Sequence, residues 1–288
     1  MTLQAPEHLI DVATLQGLGS QPRIFDCTVH LRPDPPRAYR VESGLADYEA
    51  GHIPGAAFLD LQGQLSDNDA PHRFTRLSDG ALAAAFGEEG VVDGADIVLY
   101  SSGHPMWATR IWWMLRALGV ASRVLDGGLG AWKAAGAPLA TGTERYASGT
   151  LTIAPRPELW ADQAAVLAAI GAEGVCTINA LAPEVYRGDG GANYGRKGHI
   201  TGSVNVPFAE LFEGPTLCFA DQATLQGAFA PVGALDQAVI CYCGGGISAT
   251  CDAFALTVLG HERVAVYDGS MSEWVADPSL PMREGAEP

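Results

Sequence analysis

The feature that most constrains this chain is that its pattern occurs twice. Gly51-His52-Ile53-Pro54-Gly55-Ala56 returns as Gly198-His199-Ile200-Thr201-Gly202-Ser203, and each copy runs into a short apolar segment, Ala57-Phe58-Leu59 or Val204-Asn205-Val206. Further on, Asp96 to Tyr100 is matched by Ala238 to Tyr242, and both lead through a Gly-containing loop into a helix-like stretch. Val124-Leu125-Asp126-Gly127 and Val266-Tyr267-Asp268-Gly269 close the pattern, followed by Trp132 and Trp274 at the same spacing. A period of about 145 residues is too long for a solenoid and fits a duplicated domain. The expected division is 1–145 and 156–288, joined across a stretch rich in Gly, Thr, Ser and Pro from Ala140 to Pro157.

Within each copy, short apolar strands alternate with helical patterns. The strands are expected at Arg23 to Asp26, Ile97 to Tyr100 and Arg123 to Leu125, then at Val175 to Ile178, Ala238 to Cys241 and Arg263 to Tyr267. That alternation predicts an α/β fold in which each domain is a mostly parallel sheet flanked by helices. The stretch from Trp107 to Leu118, with Trp112, Trp113, Met114 and Leu115 in succession, reads as a core helix packed between its sheet and the partner domain.

Composition excludes several function classes. In 288 residues, 33 Asp and Glu outweigh 17 Lys and Arg, a formal charge of −16, so the mean field repels polyanions and no basic stripe offers a nucleic-acid surface. An anionic substrate has to be held by local backbone amides and a few cations. The first residues lack a basic segment followed by an apolar run, and no apolar run reaches membrane-spanning length, which points to a cytoplasmic protein without membrane partners. Six cysteines are too sparse for a disulfide scaffold, and the Cys241/Cys243 pair has no second pair at ligand spacing, so neither a metal nor another cofactor is expected.

Ligands of open parallel sheets collect beyond the carboxyl ends of the strands, which directs attention to the loops after Tyr100 and Tyr242. The second loop is Cys243-Gly244-Gly245-Gly246-Ile247-Ser248, and the helical pattern begins at Ala249. Three successive glycines let the chain curl until several N–H groups converge, and the following helix adds the positive end of its dipole. Such a setting stabilises a thiolate or a persulfide anion on Cys243. Cys241 in the strand and Cys251 in the helix read as core thiols, and His52 and His199 as turn residues that satisfy backbone groups.

These motifs together resemble the tandem-domain rhodanese family of thiosulfate and 3-mercaptopyruvate sulfurtransferases. The resemblance covers nearly the whole chain and implies two tandem rhodanese-like domains, of which the second is catalytic. Aligning Ala108-Thr109 with Ala249-Thr250 puts Ser102 opposite Cys243 and implies a silent first domain. The implied cycle moves a sulfane sulfur from a small donor to Cys243 as a persulfide, then to cyanide or a thiol, including a thioredoxin-like protein. The amides from Gly244 through Gly245, Gly246, Ile247 and Ser248 to Ala249 would hold the persulfide, with the Ser248 hydroxyl as a further donor.

The chain departs from the family where the donor binds. Thiosulfate enzymes of the family resemble Cys-Arg-Lys-Gly-Val-Thr in this loop and mercaptopyruvate enzymes Cys-Gly-Ser-Gly-Val-Thr, whereas this chain has Gly244 and Gly245. Val185 stands where the family has a donor-binding Arg, which leaves Arg187 and Arg196 as candidates for the missing guanidinium. From the first domain, Asp60 and His72 correspond to residues that mercaptopyruvate enzymes lend to the site. Two other readings compete: a persulfide carrier or binding module without turnover, and a Cys-dependent phosphatase. The phosphatase would need Cys-x5-Arg, and Ala249 occupies the Arg position.

Overall fold

The computed structural model describes residues 7–34, 37–192 and 194–288. In the first half five parallel strands, β1 (Leu9–Ile10), β2 (Arg23–Asp26), β3 (Ala57–Phe58), β4 (Ile97–Tyr100) and β5 (Arg123–Leu125), form a sheet of order β1-β5-β4-β2-β3. The second half repeats it with β6 (Trp160–Ala161), β7 (Val175–Asn179), β8 (Val204–Asn205), β9 (Ala238–Tyr242) and β10 (Val264–Tyr267) in the order β6-β10-β9-β7-β8. Central strands such as Ile97-Val98-Leu99-Tyr100 are buried at every residue, as expected of a parallel sheet covered on both faces. The α/β tandem expected from the repeat is therefore the fold.

Equivalent side chains do equivalent work in the two halves. Tyr48 stacks on His52 and Tyr186 on His199, and each histidine's Nδ1 donates to the carbonyl of its tyrosine, at 2.9 and 2.8 Å. The phenol of Tyr48 donates to the Ala56 carbonyl at 2.7 Å, and that of Tyr186 to the Ser203 carbonyl at 2.6 Å. Tyr100 and Tyr242, at the ends of β4 and β9, accept from the amides of Ile53 and Ile200 at 3.3 and 3.0 Å. The two Gly-His-Ile turns are thus fixed to the strand ends by buried hydrogen bonds, although Nε2 of His52 is left without a partner among the described residues where that of His199 lies 3.1 Å from the Glu287 carbonyl oxygen.

The helices following β4 and β9 are α1 (Met106–Ala117) and α2 (Ala249–Val258), which pack on each other across the seam between the halves. Each is buried on nearly all sides because one face meets its own sheet and another meets the other domain. Of the indoles of α1, those of Trp112 and Trp113 satisfy their N–H groups on the carbonyls of Ser122 and Leu159, at 3.0 and 3.2 Å.

Three features go beyond the sequence reading. The outer strands β1, β3, β6 and β8 are two residues long, too short to show a period. An antiparallel hairpin, Val29–Asp34 with Arg37–Ser43, leaves the first sheet and carries Tyr39 toward the second. The stretch expected to link the domains is an extended strap on the first half: Gly149 N–H donates to Gly87, Asp93 N–H to Thr150 and Ala154 N–H to Leu118, at 3.0, 3.0 and 2.9 Å. Among the described residues no helix is long and apolar enough to cross a membrane.

Candidate active site

Strand β9 ends at Tyr242, and the chain turns at Cys243 into the glycine loop that opens α2. The loop's shape is set by Ser270, a non-glycine residue in the left-handed region at φ 48°. Its hydroxyl accepts the amides of Cys243 and Gly246, at 3.1 and 3.0 Å, and donates to the Tyr267 carbonyl at 2.7 Å. The carbonyl of Cys243 accepts from Met271 N–H at 3.0 Å, and that of Gly244 from the amide and hydroxyl of Ser272, at 2.9 and 2.7 Å. Gly246 has φ +72°, and a Cβ there would stand 2.6 Å from the Asp268 carbonyl oxygen, so only glycine fits.

Once these bonds are assigned, the amides of Gly244, Gly245, Ile247, Ser248 and Ala249 have no protein acceptor among the described residues. Ser248, at the N-cap of α2, does not cap it with its side chain. The loop and helix start therefore keep five unspent donors next to Cys243, at the positive end of a ten-residue helix. The expected cradle is corrected at one position: the Gly246 amide belongs to Ser270 and is not free for a persulfide. Ser248 is buried as a residue, and its hydroxyl engages no other side chain among the described residues.

Cys243 itself is 2% exposed, deeper than a loop position suggests. Two phenols, Tyr39 of the first domain and Tyr194 of the second, lie near enough to interact electrostatically with it. Tyr194 lies so close over Gly244 that a Cβ at 244 would collide with the ring, which accounts for the absence of a side chain there. Burial raises the pKa of Tyr194 and Tyr39, and the charge of Cys243 adds to the push on both. Arg73 donates to the Tyr39 carbonyl at 3.0 Å and sits over its ring, while its own carbonyl would stand 3.9 Å from a Cβ at Gly245. The neighbouring thiols Cys241 and Cys251 are pushed well above the usual range by burial. Below the loop, Asp252 is fully buried with neither carboxyl oxygen hydrogen-bonded, and burial pushes its pKa strongly upward.

Two clefts are lined by residues that contact the loop or its partners, though by no residue of the loop itself. One, of about 190 Å³, is lined by Tyr194, Arg196, Lys197, Met271 and the glycines around Asp189. The other, of about 530 Å³, lies in the seam and brings His72 and Arg76 together with Trp160, Asp268, Gly269 and Glu273. Arg196 and His72 are thus brought to the neighbourhood of the loop. Arg187 is not in either lining; its Nε is bonded to Asp189 at 2.7 Å near the surface. Asp60 is also placed elsewhere, because its carboxylate accepts the Gly63 amide at 2.9 Å in a local turn and lines a separate cleft with Glu88, Glu89 and Tyr146. Tyr39, Arg73, Arg110 and Tyr194 were not singled out from the sequence; only Arg110, a lone cation amid the apolar residues 107–115, carried a readable signal.

The loop of the first half is closed by its own chain and its neighbour. The Ser102 amide donates to Thr28 Oγ1 at 2.8 Å, and the His104 ring packs on Phe208 and Phe212 of the second half. Fold and site together define a tandem α/β protein with one cysteine, in its second half, at the mouth of an amide-lined strand-to-helix loop.

The model of the rhodanese-like domain matches the chain twice, over residues 13–135 and 178–277, and the chain belongs to that family. It is 35% identical over 292 residues to the putative thiosulfate sulfurtransferase SseB of Mycobacterium tuberculosis, covering 96% of this chain and 97% of that protein. It is 34% identical over 246 residues to the 3-mercaptopyruvate sulfurtransferase of Escherichia coli, covering 82% of this chain and 84% of the relative. Among solved structures, SseA from Escherichia coli, described as a 3-mercaptopyruvate sulfotransferase with the rhodanese fold, superposes with a TM-score of 0.78 at 28% identity, over 94% of this chain and 99% of that one.

Proposed function

We propose that Cys243 is the sulfur-carrying nucleophile of this sulfurtransferase of the thiosulfate/3-mercaptopyruvate type. The observation that carries the assignment is the set of five unspent amides beside the cysteine, at an uncapped helix start. Fixed donors of this kind stabilise an anion without having to reorganise when it forms. In the first half-reaction the Cys243 thiolate attacks the donor's sulfur. With 3-mercaptopyruvate the carbon–sulfur bond breaks, the thiol proton passes to the departing carbon, and pyruvate leaves. With thiosulfate the sulfur–sulfur bond breaks and sulfite leaves. In the second, cyanide or a thiolate attacks the outer sulfur of Cys243-S-S⁻ and releases the Cys243 thiolate. The loop amides hold the negative charge at each stage, and neither half-reaction needs a metal.

The donor we favour is 3-mercaptopyruvate. The loop itself carries no cation to meet a dianion, whereas the smaller cleft offers Arg196 and Lys197, a setting suited to one carboxylate. Ser102 in a loop closed by Thr28 and packed by Phe208 and Phe212 is consistent with a first domain, within 1–145, that does no chemistry beside a catalytic domain at 156–288. Free cysteines throughout fit a reducing, cytoplasmic setting, with a thiol or a thioredoxin-like protein as acceptor. Parallel steady-state kinetics with the two donors, against cyanide and a dithiol, test the reading. Turnover with 3-mercaptopyruvate at the higher kcat/KM supports it. A Cys243 loaded only by a protein persulfide, with neither small donor turned over, would replace it with the carrier reading.

A further inference from the structure

Arg110 is a charged residue in the middle of an apolar helix, and its side chain is completely buried. A guanidinium in that position is tolerated only if most of its donors are met, because desolvation costs several kcal/mol otherwise (about that order for any buried ion); here the two terminal nitrogens are met and Nε finds no acceptor among the described residues. The partners it finds are not in its own sheet. Nη1 donates to the Gly246 carbonyl at 3.1 Å, and Nη2 to the Phe74 carbonyl at 2.9 Å and to Asp268 Oδ1 at 2.6 Å. The guanidinium also lies over the Trp160 ring, 5.1 Å from its centre. The other oxygen of Asp268 accepts from the Arg76 amide at 3.0 Å. Gly246 is therefore held on its carbonyl side by Arg110 and on its amide side by Ser270, which fixes the peptides from which the five unspent amides project.

The duplication supplies a built-in comparison. Cys251 stands opposite Arg110 in α2, and its thiol reaches only Thr109 at 3.5 Å. Asp126 is the counterpart of Asp268 and likewise accepts an amide from the other half, that of Phe219, at 2.8 Å. Among the described residues no guanidinium meets it, and burial pushes its carboxyl up to about 6. The cross-domain cation is thus present only where it serves the loop that carries a cysteine.

We propose that Arg110, supplied by the domain without a nucleophile, is a positioning residue that holds the Cys243 loop in its anion-binding shape through Gly246 and Asp268. The proposal rests on the reading of Cys243 as the nucleophile, and gives the silent domain a part in the reaction. A lysine cannot span the two carbonyls and the carboxylate with one ammonium, so the geometry is specific to arginine.

The test uses the full-length R110K, R110Q and D268N variants, with thermal midpoint, donor kcat and KM, and the pH profile of Cys243 alkylation by iodoacetamide. R110K is expected to fold and to lose kcat by on the order of tenfold to a hundredfold, with donor KM within about twofold. Its alkylation profile is expected to move to higher pH, and R110Q to be the more severe. Should both arginine variants fail to fold, D268N carries the test, since its carboxamide oxygen can keep the Arg76 bond. A folded variant with wild-type kcat and an unmoved alkylation profile would overturn the proposal. A wild type that takes up no sulfur on Cys243 would overturn the nucleophile instead, and the alkylation profile, which needs only the thiol, would still score Arg110.

Discussion

The hydroxyl oxygens of Thr109 and Thr250 lie 2.8 Å apart, and the two threonines occupy the same position in the two copies of the repeat. A residue that meets its own counterpart marks a local twofold axis, here running between α1 and α2. Each hydroxyl also has a carbonyl one turn back within reach, Thr250 that of Ile247 at 2.7 Å and Thr109 that of Met106 at 3.1 Å, so the threonine that donates across the seam gives up the bond to its own carbonyl. The first domain thereby touches the cysteine loop a second time. Thr109→Val is expected to cost about 1–2 kcal/mol in chemical denaturation, by leaving a buried hydroxyl short of a partner. With Thr250→Val the losses should be less than additive, and additive losses would mean the contact carries no coupling.

Gly244 and Tyr194 contend for one volume. Gly244→Ala should lower kcat by at least about tenfold by displacing the ring or the loop. Adding Tyr194→Gly should recover part of that loss, while Gly245→Ser, whose nearest neighbour is Ser272 Oγ at 3.8 Å, should fold normally and increase turnover of 3-mercaptopyruvate. Steady-state kinetics of the three variants decide, and an undiminished Gly244→Ala would remove Tyr194 from the account.

The two candidate donor arginines should separate. Arg196→Ala is expected to raise KM for an anionic donor several-fold with little change in kcat, since Arg196 lines the cleft beside Tyr194. Arg187→Ala, which loses only a surface pair with Asp189, should leave KM within about twofold. Equal effects of the two would place the donor elsewhere.

Asp252 should be a liability that grows with pH. Its pKa is raised in the folded protein, so the native state binds the proton more tightly than the unfolded chain does. The penalty is absent below the unfolded value near 4, grows as pH rises through the interval up to the folded value, and is then constant. Asp252→Asn should therefore match the wild type in acid and gain on it toward neutral pH, by roughly 1–3 kcal/mol if the orphaned group bears the usual cost. Denaturation midpoints at several pH values check this, and a constant offset would show that the carboxyl does not titrate in that interval.

Much of this was legible in the chain. Gly-His-Ile twice, the two Asp-Gly ends and the central strands needed only local pattern, and the three glycines after Cys243 announced a tight amide-lined turn. The hairpin that delivers Tyr39 and the bond from Arg110 to Gly246 depend on residues more than a hundred positions apart in the second case, and no periodicity encodes such a contact. Asp60 illustrates the converse: its position in the repeat suggested a role at the seam, but a local turn at Gly63 claims the carboxylate. Arg110 was hidden by its surroundings, since the helix reads as apolar core and nothing in the pattern separates the burial of Arg110, which is complete, from that of Arg116 near the helix end.

The central claim is tested most directly by intact-mass analysis of the protein after exposure to 3-mercaptopyruvate without an acceptor. The account predicts a gain of about 32 Da, one sulfur atom, mapped to Cys243, lost on adding cyanide and absent in Cys243→Ser. A gain that persists in Cys243→Ser, or that maps to another of the thiols, would contradict it.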